Sequence, residues 1–211
     1  LPASCAINAP EASARRIRAT PRSELGAMSS SRRLLWLLLP VAVAAMFATS
    51  SCSTSWPRRD PSGEVLPQVT GTSLADERVT LPDVAGGDPL LLLVGYVQSA
   101  QFDIDRWLLG LDQLGWKTRT FEVPTIPGML PRMFGGFIDS GMRSGIPEED
   151  WAAVVTVYAE AEKLAEFTGN EGSRNGRVLL LDGAGKVVFY HDRGYSVGSL
   201  NKLVAARAAL R

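Results

Sequence analysis

His191 is the only histidine of this 211-residue chain, and Asp192 and Arg193 follow it directly. Ser99 and Gln101 lie far upstream, in a short polar break between an apolar run and a helical pattern. Serine, histidine and aspartate are the residue types of a nucleophile, its base and the group that orients the base. The pattern argues against that chemistry. No Gly-x-Ser-x-Gly elbow surrounds Ser99, and a histidine and an aspartate adjacent in sequence seldom turn toward each other. Metal binding has little to build on. One histidine leaves only carboxylates, and Asp103 with Asp105, or Glu148, Glu149 and Asp150, stand where helices are expected to begin. Solvated negative charge is favoured there without a metal. Cys5 and Cys52 are the only cysteines, and both precede the expected folded part. That part holds no disulfide, no Cys-x-x-Cys, no thiolate nucleophile and no Cys-ligated zinc. No catalytic set, cofactor or metal is expected.

The elements that must position these residues centre on 89–114. The run Leu90 to Val97 breaks at Gln98-Ser99-Ala100-Gln101, and Ile104, Leu108 and Leu111 then recur at helical spacing, with Trp107 and Leu114 beside them. A buried strand followed at once by an amphipathic helix reads as the core of an α/β unit. Upstream, 69–82 reads as a hairpin and 83–88 as a Gly-rich turn. Downstream the expected elements are a strand at 117–123, a Gly-weakened helix at 130–144, a strand at 152–158 and a helix at 161–168. A hairpin of 177–182 and 186–190 follows, with turn Gly183-Ala184-Gly185. A last helix spans 196–210, burying Leu200, Leu203, Val204 and Ala208. Trp107, Trp116, Phe121, Phe134 and Phe137 have core-like spacings, with an exposed groove at Phe134 and Phe137 as the alternative.

The front of the chain reads differently. Residues 1–27 are rich in Ala, Arg, Ser and Pro without apolar period and are expected to be a non-native, disordered upstream extension, since the first Met is Met28. Residues 28–52 read as a signal peptide: Arg32 and Arg33, an apolar run Leu34 to Ala48, then small residues before Cys52. The run is short of the about 20 residues a comfortable membrane span needs. The small residues before the cysteine resemble a bacterial lipobox, which implies lipidation at Cys52, although Thr49 stands where that motif usually has Leu. An uncleaved anchor and plain signal cleavage remain open. Residues 53–68, broken by prolines and charges, are expected to be a flexible tether, and 69–211 the domain. From Ser53 onward there are 16 basic and 20 acidic residues, so nothing electrostatic points to nucleic acid.

The lead-in LADERVTLPDVAGGDPLLLLVGYV, the junction at Gln98 to Phe102 and the tail RVLLLDGAGKVVFYHDRGYS resemble the thioredoxin-like superfamily, especially its peroxiredoxin-like branch. The nearest likeness is to the thioredoxin-like ATP-synthase assembly factors and their bacterial relatives, over about residues 69 to 205. The resemblance implies an α/β fold, a thioredoxin-like three-layer α/β/α sandwich with a mixed sheet. It places the junction where that superfamily carries its redox thiols. No cysteine stands there, and Asn175-Gly176 occupies the place of the superfamily's cis-proline. Self-contained disulfide exchange and thiol peroxidase chemistry are excluded on that ground.

Topology of this kind gathers Ser99, Gln101, Asn175, Arg177, His191, Asp192 and Arg193 along one edge, the expected partner-binding surface. The expected function is a non-redox binding or assembly-factor protein, tethered by its lipid to the cell envelope, outside the cytoplasmic membrane or in the periplasm. Its partner would be a protein of a membrane or envelope complex, with no nucleic acid. The alternatives are a peroxiredoxin-like enzyme with a non-thiol site on the same edge, and a structural lipoprotein.

Overall fold

The computed structural model describes residues 55–210, within a compact unit of Cys52–Arg211. The expectations for 1–27, for the signal peptide 28–52 and for lipidation at Cys52 lie outside the described residues. Every residue from Leu90 to Val94 is buried. The reason is that the strand β3 (Leu90–Gly95) has a covered face on each side. Leu90, Leu92 and Val94 point to one hydrophobic cluster, while Leu91 and Leu93 point to the other, as the two-residue period of a strand requires.

Strand β4 (Arg119–Pro124) pairs parallel to β3, from Leu90 against Arg119 to Gly95 against Pro124. Strand β6 (Arg177–Leu181) pairs antiparallel on the other side, with Val94 opposite Arg177. Strand β7 (Val187–His191) closes the order β4-β3-β6-β7. The hairpin of β1 (Val69–Ser73) and β2 (Arg78–Leu81) pairs with a two-residue β5 (Val155–Thr156). Isolated parallel bridges, Glu122 to Val154 and Thr125 to Val157, join β5 to β4.

The expected strand at 152–158 is therefore mostly not a strand. Residues 148–153 wind as a 3-10 turn after Pro147. The indole N–H of Trp151 donates to the Ile146 carbonyl at 2.9 Å, and the Arg143 guanidinium lies over its ring. These contacts hold the turn against extension.

Helix α1 (Gln101–Gln113) buries Ile104, Trp107 and Leu111 against Leu91, Leu93, Val178 and Leu180. Leu114, expected beside that face, is exposed. The helix stops in a Schellman arrangement. Trp116 N–H donates to Leu111 O and Gly115 N–H to Asp112 O, with Gly115 at φ 62°. Helix α2 is Met129–Arg143, α3 is Ala161–Thr168 and α4 is Val197–Ala208. Helix α4 shares the α1 face through Leu200 and Leu203, with Ala206 packed on the cluster; Ala208 is exposed. Helix α3 covers the opposite face with Leu164 and Phe167, beside the β1–β2 hairpin. Phe137 of α2 is 84% exposed, so it is not the core residue its spacing suggested.

Residues 55–68 do not hang free as a tether. Trp56 packs on the α3-side cluster, and Leu66 is buried in it. The Trp56 N–H donates to Asn170 Oδ1 at 2.7 Å, and its carbonyl accepts from the N–H groups of Asn170 and Glu171. Farther along, Gly63 N–H donates to Val187 O, Val187 N–H to Glu64 O and Leu66 N–H to Gly185 O. The segment is a strap laid along β7, and the folded part begins well before Val69. Its path needs Gly169. That residue has φ 68°, and a Cβ there would overlap the Pro57 carbonyl. The prolines and charges of this stretch mark an irregular backbone, but they do not reveal that Trp56 and Leu66 have a core to enter.

Candidate functional site

The register brings the C-terminal end of β3, the N-terminal end of β6 and the C-terminal end of β7 to one edge, since Val94 faces Arg177 and Val178 faces His191. The backbone placement is the expected one. The side chains divide the seven candidate residues into three groups.

Arg177 and Asp192 are interior residues. Arg177 is fully buried. Its guanidinium donates to the carbonyls of Gly169 (3.1 Å), Glu171 (2.7 Å) and Asn175 (2.8 Å), with Gly172 O at 3.5 Å. It also lies over the Tyr96 ring at 5.8 Å. Its charge is solvated by the backbone of the 169–175 loop, so it organises that loop and offers no partner contact. Burial pushes the phenol of Tyr96 well above the ordinary tyrosine range, a rise that the Thr168 hydrogen bond and Arg177 oppose. Asp192 is 6% exposed and pairs with Arg58 of the strap, Nε to Oδ2 at 3.0 Å, outside hydrogen-bond geometry.

His191 and Gln101 face away from each other. The His191 ring meets Trp107 edge-on, with centroids 5.6 Å apart, and stacks on Phe189. Its Nε2 lies 2.8 Å from Gly194 O and 3.2 Å from Ser199 Oγ. A carbonyl at 2.8 Å requires the proton on Nε2, so that nitrogen has no lone pair with which to activate a hydroxyl. Ser99 makes no contact with this ring and sits exposed on the 3-10 turn Gln98–Ala100. The hydrolase arrangement is absent among the described residues. Gln101 turns toward β4, where its amide donates to Asp105 Oδ1 and Glu122 Oε2, both at 2.9 Å.

The third group remains accessible: Ser99, the half-buried Asn175, which donates to Asp192 O at 3.4 Å, and Arg193, whose side chain is 74% exposed. The sequence reading missed several neighbours of these. Val97 is 42% and Phe102 73% exposed, on either side of the polar turn. Arg58, Arg59 and Asp60 of the strap join Tyr190, His191, Asp192 and Arg193 around a shallow cleft of about 390 Å³.

Asp103 is also not the solvated helix-start charge expected. It is 6% exposed. Its carboxylate accepts from Gly176 N–H at 3.0 Å and Tyr195 N–H at 2.6 Å. One side chain thus ties α1 to the loops before β6 and after β7. Gly176, just before β6, lies against Asp103 and Ile104. A Phe-Asp-Ile-Asp start alternating apolar and acidic residues is the signal that one acid turns inward. The sequence does not say which.

No group of three or more His, Cys, Asp or Glu among the described residues is arranged to hold a metal. No helix among them is long and apolar enough to cross a membrane.

No protein-family model matches the chain, and no curated protein matches it. Solved structures do. The thioredoxin domain of a thiol-disulfide oxidoreductase from Bacteroides vulgatus is 20% identical, over 70% of this chain and 97% of that one, with TM-score 0.43. A thiol peroxidase from Chromobacterium violaceum is 10% identical over 74% and 93%, TM-score 0.47. BsSco, a member of the Sco family of cytochrome c oxidase assembly proteins, is 15% identical over 72% and 96%, TM-score 0.49. Likeness of this size transfers no residue role. Strand order, register and layering, with α1 and α4 on one face and α3 on the other, make the domain a thioredoxin-like three-layer α/β/α sandwich with a mixed sheet.

Proposed function

We propose that this chain is a non-redox binding or assembly-factor protein, anchored in the cell envelope by a lipid on Cys52, that recognises a protein of a membrane complex through the β3–α1 junction. One observation carries the reading. The junction holds Gln98, Ser99 and Gln101 in place of a thiol, and Val97 and Phe102 stand exposed beside them. Exposed aromatic and aliphatic side chains flanking a polar turn suit a protein contact. Three polar groups that could serve chemistry are already engaged: Arg177 by carbonyls, Asp103 by two N–H groups and His191 by Gly194.

The test is co-purification from the native membrane with the intact chain and with Val97→Asp and Phe102→Asp combined. The reading expects one membrane complex with the intact chain, lost with the double variant while the circular dichroism spectrum is unchanged. Equal recovery with both proteins overturns it.

A further inference from the structure

Trp56 determines how far the domain can stand from whatever holds Cys52. Its backbone is bonded on both sides to the 170–171 loop. Only residues 53–55 lie between it and Cys52, a stretch that reaches at most about 14 Å when fully extended. The strap leaves the domain at the end of the sheet where β7 finishes, since Arg58 meets Asp192 there. We infer that this edge, around Arg58, Arg174 and Arg193, is the domain's bilayer-facing surface and rests on phospholipid headgroups.

The inference rests on the proposed lipid at Cys52. Given that anchor, a free tether would let any face meet the membrane, and the bound strap does not. The chemistry of the edge suits the occupant. Arg174 is exposed, and the 74%-exposed side chain of Arg193 has its nearest carboxylate 4.0 Å away. A guanidinium presents a planar fork that matches phosphate oxygens. Two acids beside these arginines are hydrogen-bonded within the strap region: Asp60 accepts from Ser62 N–H and Oγ, and Glu171 from Arg58 N–H. Lys117, before the first residue of β4, stands at the opposite end of the parallel pair β3–β4. A six-residue strand puts that end about 20 Å farther from the bilayer.

The experiment uses the full chain with Cys5→Ser, purified from a lipidating bacterial host and reconstituted into phosphatidylglycerol–phosphatidylcholine vesicles. A donor dye is placed at Ser173→Cys or at Lys117→Cys, with an acceptor dye on a headgroup lipid. Energy transfer is expected to be several-fold greater from position 173. A Gly/Ser linker of about 20 residues inserted after Ser53 is flexible enough to release the domain and is expected to bring the two positions toward equality. Equal transfer without the linker overturns the inference, as does a difference that the linker leaves unchanged. Failure of the anchor itself is read separately, from the intact mass of the mature protein. A Cys52 without acyl groups overturns the anchored reading and this orientation with it.

Discussion

Replacing Arg177 by Met tests whether this residue organises the edge or contacts a partner. The methionine matches the buried stem and removes the guanidinium. Three carbonyls, of Gly169, Glu171 and Asn175, lose a charged donor at 2.7 to 3.1 Å. A hydrogen bond to a charged group contributes about 1.5–3 kcal/mol, and an acceptor left buried costs about 1–3 kcal/mol. Glu171 is exposed, so its carbonyl can be rehydrated, and two acceptors carry the loss. Removal of the desolvated charge offsets part of it. The expected destabilisation is about 3–5 kcal/mol, a large share of the roughly 5–15 kcal/mol of a typical domain. Urea unfolding gives the magnitude, and amide exchange across 169–176 gives the location. Arg177→Lys keeps the charge but not the fork, and should lose about half as much. A loss below about 1 kcal/mol for Arg177→Met, or unchanged exchange protection in the loop, would refute the reasoning.

Gly169→Ala tests the strap. Gly169 lies at φ 68°, ψ 142°, a backbone that favours glycine, and a Cβ there would meet the Pro57 carbonyl, whereas a Cβ at Gly115, φ 62°, meets open space. Gly115→Ala should cost about 1–2 kcal/mol. Gly169→Ala should cost more and should raise amide exchange at Trp56 and Arg58; unchanged exchange at both would contradict the bound strap. Two glutamates should titrate against stability in opposite senses. Burial raises the Glu122 pKa, against the Gln101 hydrogen bond and with help from Asp105 and Asp150. The folded state therefore holds the extra proton, and stability falls as pH rises from the ordinary glutamate value through the folded one. Glu122→Gln should stabilise near pH 7 and lose that effect near pH 3. The Thr70 backbone N–H lowers the Glu160 pKa. Its contribution is present above the ordinary value and is lost as pH falls through the folded one. Glu160→Gln should destabilise near pH 7 and not near pH 3. Chemical denaturation at the two pH values checks both signs.

The parts of the fold that repeat along the chain were legible from it. Leu90 to Val94 form an unbroken apolar run because β3 is covered on both faces. Ala161–Thr168 was bounded by Gly169, and the β6–β7 hairpin was marked by Gly183-Ala184-Gly185. The failures share a cause. Trp56, Asp103 and Arg177 are fixed by partners more than 60 residues away or by loop carbonyls, and no local period reports either. A polar residue at a strand end looks the same in sequence whether it faces solvent or the interior. Arg177 and Arg193 look alike in the sequence, and one is buried while the other is exposed. The meeting of the ends of β3, β6 and β7 at this edge is legible because topology fixes the backbone. Side-chain direction is not, because it depends on the loops that close over the edge.

The central claim is recognition through the β3–α1 junction, and site-specific photo-crosslinking in intact native membranes tests it most directly. A benzophenone side chain would replace Phe102, or Leu109, which is 60% exposed about two turns along the same helix. Crosslinks from position 102 into one membrane protein, and none from position 109, are the predicted result. Equal crosslinking from both positions, or none from position 102, would contradict it.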